Sequence, residues 1–180
     1  MATQNQAQQL AEEARAAFQA GRYEAAASLF ERAHALSAQA GDALTAAEMA
    51  NNLSVARLQA GDAAGALAAV RDTDQAFAQA GDTVKQAMAL GNQAAAQEAL
   101  GQLETALTLY QQSADLLKPY PDQAETRAIV LKSISSLQVR TGRQLEALAS
   151  MNAALDQQKK LSLREKLLHK LLRIPFKQIK

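Results

Sequence analysis

Residues 90–110 read LGNQAAAQEALGQLETALTLY, and the glycine near their centre decides the fold. Alanine and leucine recur at helical spacing up to Leu100, Gly101 interrupts, and a second helical run opens at Leu103. Glycine is the residue that takes the left-handed backbone at which a helix stops. Outward from this stretch the same mark recurs at Gly21, Gly61 and Gly142, giving spacings of 40, 40 and 41 residues. A second series interleaves with it: Asp42, Asp82 and Asp122, each 40 residues from the next, open helical runs after Gly41, Gly81 and Pro121. Aspartate suits that place because its carboxylate accepts from the unpaired amides of a helix start. Each period is therefore helix, tight turn, helix. Glu125 stands where it would complete a capping box with Asp122. Lys118-Pro119-Tyr120-Pro121-Asp122 predicts a stiffer turn in place of the plain Gly-Asp pair.

Counting from each glycine gives the packing. Five residues after it stand Ala26, Ala66, Ala106 and Ala147, and seven before it Ala14, Ser54, Ala94 and Ser135. Helices whose backbones cross closely need small residues at the crossing. Nine residues after come Phe30, Val70, Tyr110 and Met151, large enough to fill the space between hairpins, and twelve after come the small Ala33, Thr73, Ser113 and Ala154. Two residues after the glycine a bulky side chain is present as Tyr23 and Leu103 but is Ala63 and Gln144 elsewhere, which predicts looser packing in the second and fourth periods.

This order of small residue, glycine, alanine, bulky residue and small residue resembles the tetratricopeptide repeat (TPR) signature, most closely from Leu90-Gly91-Asn92 through Leu100-Gly101 to Ala106 and Tyr110. At about 40 residues the period exceeds the family's usual length of about 34 and is similar to the long-helix subgroup found in kinesin light chains and some bacterial peptide-sensing regulators. The resemblance implies an all-α right-handed solenoid of four antiparallel helix pairs over residues 1–161, with repeats near 5–41, 42–81, 82–121 and 122–161. A basic amphipathic helix and tail would follow at 162–180.

It also implies a function: binding a protein or peptide segment in the concave groove lined by the first helix of each pair. Family members commonly place asparagine nine residues before the glycine to bond a peptide backbone; here those positions are Glu12, Asn52, Asn92 and Ser133. An asparagine amide both donates and accepts, so it pairs with a peptide unit whatever the side chains. Arg15, Asn51, Gln59, Lys132 and Arg140 fall on the same predicted face and would meet acidic groups of a ligand.

Net charge is +1, but it is unevenly placed. Residues 1–158 hold 11 Lys and Arg against 17 Asp and Glu, a charge of −6. The last 22 residues hold eight basic side chains, Arg164, Lys166, Lys170, Arg173 and Lys177 among them, against Glu165 alone, a charge of +7. Ser162 stands 40 residues after Asp122, so a fifth first helix is expected to start there, with a Ser162–Glu165 capping box and Leu163, Leu167, Leu168, Leu171 and Leu172 along one side. Ile174-Pro175 would end it. The leucines are expected to cover the apolar end of the fourth repeat, as solenoid ends require. The rival reading makes this helix a self-association or membrane-surface docking element.

Other functions find little support. Hydrophobic residues make up 48% of the chain, yet aromatics make up only 4%, and Gly and Pro number 8 and 3, which suits packed helices and not sheets. Cysteine is absent, which excludes disulfides and thiolate chemistry. His34 and His169 show no metal-ligand spacing, although His34 with Glu31 forms an i, i+3 pair. The acidic pairs Glu12-Glu13 and Asp72/Asp74 would point apart on a helix. No enzyme, cofactor or metal is expected. The acidic body, with one aromatic in the basic tail, is unlike a nucleic-acid interface. Without a signal-like start or a long apolar run, the expected location is the cytoplasm.

Overall fold

The computed structural model describes residues 2–158 and 160–172. All regular structure among them is helical: α1 (Ala2–Gln19), α2 (Tyr23–Gln39), α3 (Ala43–Gln59), α4 (Ala63–Val70), α5 (Thr73–Gln79), α6 (Thr83–Ala99), α7 (Leu103–Leu117), α8 (Ala124–Arg140), α9 (Gln144–Gln157) and α10 (Leu163–Leu172). The helices stop where the glycines stand. Gly21, Gly41, Gly61, Gly81, Gly101 and Gly142 all take left-handed φ angles between 73° and 85°. At the first of these turns the Gly21 amide bonds the Phe18 carbonyl at 3.0 Å and the Arg22 amide bonds Ala17 at 2.9 Å, which satisfies carbonyls that the helix end would leave open.

The aspartates cap as their chemistry requires. Asp42 accepts from the Thr45 amide at 3.0 Å and the Thr45 hydroxyl at 2.8 Å, and these bonds, the amide first, hold its carboxyl below the ordinary value. Asp82 accepts from the Lys85 amide at 3.0 Å. Asp62 does the same for Gly65 at 2.8 Å. Asp122 departs from the expected pattern. Pro121 has a fixed φ and no amide hydrogen, and it opens a 3-10 turn, Pro121–Gln123, so α8 begins only at Ala124 and its N-cap residue, Gln123, makes no side-chain cap bond. The Asp122–Glu125 capping box therefore does not form.

The chain divides into two compact units, one up to Leu109 and one from Tyr110. In the first, α1, α2 and α3 pack around Leu10, Ala14, Phe30, Met49 and Leu53, and a smaller cluster joins Phe77 to Ala47 and Ala89. In the second, α8 and α9 bury Leu131, Ile134, Leu137 and Leu155.

One helix of the first unit is broken. Arg71 is extended (φ −57°, ψ 134°) and Asp72 is left-handed (φ 61°). Asp72 thus lies outside any helix, and the i, i+2 geometry expected for Asp72 and Asp74 does not apply. The break is held by specific bonds: the Thr73 hydroxyl donates to the Val70 carbonyl at 2.8 Å and contacts Asn51 Oδ1 at 3.3 Å. Gln93 Nε2 donates to the same carbonyl at 3.3 Å and to Asp74 at 2.6 Å. Val70 and Thr73, the bulky and small positions of this period, stay buried on either side of the break. Thr73→Val keeps the shape but strips the hydroxyl from buried acceptors, and it is expected to cost about 1–3 kcal/mol, read as a lower urea midpoint with an unchanged slope.

Candidate functional site

Arg15 on α1 and Asn52 on α3 line one concavity. Phe18, Gln19, Phe30 and Val55 complete it, and its volume is about 200 Å³. Helical spacing explains the grouping: Arg15, Phe18 and Gln19 lie at i, i+3 and i+4 on α1, and Asn52 and Val55 at i, i+3 on α3. Phe30 reaches the floor from α2 and is buried. Phe18 is steadied by an edge contact with Tyr23, ring centroids 5.2 Å apart. The site therefore has an apolar floor and a polar rim. Among the described residues neither the Arg15 guanidinium nor the Asn52 amide has a side-chain partner, and Asn52 is half-buried.

The other asparagines are engaged internally. Asn51, only 8% exposed, meets Thr73 as above and accepts from Asn92 Nδ2 at 3.5 Å, so the Asn51–Asn92 pair links α3 to α6. Gln59 is exposed near the end of α3. Two ion pairs also tie this unit together: Arg57 with Glu31 at 2.7 Å, and Lys85 with Glu48. The hydrogen bond that Lys85 donates to Glu48 raises the Lys85 pKa. Sequence reasoning did not find the Gln93–Asp74 clamp. Its signal was the Asp72-Thr73 pair in mid-helix, a combination that favours local turns over helix. A wider trough of about 600 Å³, lined chiefly by alanines with Arg71 and Asp72 at its edge, opens at the break.

The metal reading of His34 and Glu31 finds no support in the geometry. His34 Nδ1 donates to the Ala46 carbonyl at 2.9 Å and Glu31 is held by Arg57, and among the described residues no group of three His, Asp or Glu could hold an ion. No helix among them is long and apolar enough to cross a membrane.

A scan against protein-family models found no match, and a search of curated proteins found none either. Solved structures do match. A crystal structure of a Podosopora anserina protein, provisionally assigned as a kinesin light chain with nearly identical TPR-like repeats, covers 96% of this chain and 95% of its own at TM-score 0.57 and 17% identity. The chain has a TPR-like repeat fold. In a TPR-like frame α1, α3, α6 and α8 are the first helices of successive pairs, and the residues singled out for binding all lie on them.

In the second unit of this TPR-like chain, Lys132 on α8 binds Glu165 of α10 at 2.8 Å. Ser133 is half-buried and Arg140 exposed. The Ser162–Glu165 capping box forms in both directions, at 2.9 and 3.3 Å, and His169 Nε2 meets Asp156 at 2.9 Å. The Gln158 amide, oriented with its oxygen toward Lys132 at 2.8 Å, donates to Glu165 at 3.3 Å. The Lys132 hydrogen bond first, and the Ser162 amide second, bring Glu165 from 4.5 down to about 2. A depressed carboxyl stabilises the contact fully above its ordinary pKa and loses that contribution as pH falls toward the depressed value. NMR titration should find Glu165 ionising near 2, and Lys132→Ala should move it back toward 4.5.

α10 departs from the expected cap. Leu163, Leu167, Leu168 and Leu171 are 85%, 61%, 37% and 54% exposed and only Leu172 of the five is half-buried, so the leucine stripe does not cover the fourth hairpin; Glu165 and His169 face it instead. The reason is that Lys132 and Asp156 offer charged partners where an apolar surface was expected. Arg173, Lys177 and Ile174-Pro175 lie outside the described residues.

Proposed function

We propose that this chain is a non-enzymatic protein-interaction module that holds an extended segment of a partner protein along the first helices of its first unit, α1, α3 and α6, anchored at the concavity between α1, α2 and α3. The observation that carries this is the combination at that site of an aromatic floor with two unengaged polar side chains, Arg15 and Asn52. Unpaired polar groups beside an apolar floor are what a peptide needs, since it brings both a side chain to bury and a backbone to bond. The size supports the same reading. About 200 Å³ falls below the range of about 300–1,000 Å³ typical of small-molecule sites and suits one large apolar side chain of a longer ligand.

Within this proposal Asn52 bonds the ligand backbone next to that side chain, and Arg15 favours a carboxylate or carbonyl beside it. Asn51 and Asn92 contribute mainly by holding α3 and α6 together, with Asn92, half-buried, and exposed Gln59 as further contacts along the first helices. In the second unit, taken by itself, Lys132 docks α10, and Ser133 and Arg140 on α8 offer contacts separate from that concavity.

Affinity capture from source lysate with the intact chain and an Arg15→Ala/Asn52→Ala variant tests the proposal. The variant should keep the helical circular dichroism of the parent, because neither side chain holds the fold, and should lose its captured partners by about tenfold or more. Partners retained in full by a folded variant would contradict it.

A further inference from the structure

The helix α10 presents Leu163, Leu167, Leu168 and Leu171 to solvent and Glu165 and His169 to the protein, the reverse of a core-facing helix. At about 100° per residue, Leu163, Leu167 and Leu171 form one stripe along its outer side. Arg164 and Leu168 border that stripe on one flank, and Lys166 and Lys170 on the other. Glu165, His169 and Leu172 make up the opposite side and are half-buried. Glu165, the sole acid after Asp156, is spent on Lys132. Among the described residues the side chains of Arg164, Lys166 and Lys170 have no partner. The outward face therefore carries leucine and positive charge alone.

We propose that this face docks the protein on an anionic membrane surface, a role independent of the peptide-holding concavity. The charge pattern selects the occupant. Two copies of α10 packed stripe to stripe would bring Arg164, Lys166 and Lys170 against their equivalents with no carboxylate to offset them, whereas anionic headgroups neutralise all three. Long basic side chains flanking an apolar stripe reach outward to the headgroup level while the leucines enter the acyl boundary. Ten residues span about 15 Å, half of a hydrocarbon core of about 30 Å, so the helix lies along the surface and does not cross it. The whole segment after Gln158 adds to the attraction with its charge of +7.

Vesicle flotation of the full chain tests this, with phosphatidylcholine vesicles compared with vesicles that also contain phosphatidylserine. Binding is expected only where the anionic lipid is present, and it should fall as salt rises. Leu167→Gln/Leu171→Gln should reduce it more than tenfold. Each of Lys166→Gln and Lys170→Gln should weaken it about fivefold, the equivalent of about 1 kcal/mol for a basic side chain at such a surface. Leu44→Gln, an exposed leucine on α3, should change nothing and controls for general loss of apolar surface. Failure to bind, equal binding to both vesicles, or binding indifferent to Leu167 and Leu171 would overturn the proposal. So would a leucine-dependent dimer in sedimentation analysis without vesicle binding, which would assign the face to a second copy.

Discussion

The distance between the two helices of a hairpin is set by small side chains at the place where they cross, and most of this structure depends on it. Ala14 and Ala26, Ser54 and Ala66, Ala94 and Ala106, and Ser135 and Ala147 are all less than 5% exposed. In the last pair the approach is close enough for the Ser135 hydroxyl to bond the Ala147 carbonyl at 2.8 Å. A larger residue at any of them would force the helices apart, at about 1–3 kcal/mol for an overpacked site. Close crossings also explain how a chain so poor in aromatics packs at all. Alanine backbones fill the centre of each hairpin, and larger side chains, leucines together with Phe30, Val70, Phe77 and Tyr110, fill the spaces around them. Between α1, α2 and α3 the aromatics do not fill the space, and the concavity results.

The broken second helix of the second period is a place where this regularity yields. Val70 and Thr73 are both buried, and the left-handed Asp72 between them resets the helix so that Phe77 also reaches the interior. The carbonyl of Val70, freed from the helix ladder, is then answered from two sides, by Thr73 and by Gln93. Left-handed backbone is costly for most residues but tolerable for aspartate, and the bonds around it hold the conformation in place.

Much of this was legible in the residue order because its causes are local. A glycine that must take positive φ and an aspartate that must accept from free amides act within one turn, so the hairpin ends could be read at Gly21, Asp42, Gly101 and the rest. The break at Asp72 showed in sequence only as the turn-favouring Asp72-Thr73 pair, outweighed by high helix propensity on both sides, and the bonds that stabilise the bend come from Asn51 and Gln93, far along the chain. The start of α8 was missed for a related reason: Pro121 imposed its own turn before Asp122 could cap. Arg15 and Asn52, singled out by their register, line one concavity. Asn51, one residue away, turns inward to Thr73 and Asn92, a difference of about 100° around the helix. The amphipathic pattern of α10 was plain in sequence, but its orientation was decided by Lys132 and Asp156, whose charges draw its polar side inward.

Whether the concavity between α1, α2 and α3 receives a ligand side chain is read most directly from an amide NMR map of the intact chain titrated with peptides selected against it from a random displayed library. A ligand side chain seated there gives the largest shifts at Arg15, Phe18, Asn52 and Val55, with a large apolar residue recurring in the selected peptides. Shifts confined to other surfaces, with those four residues unmoved at saturation, would contradict it.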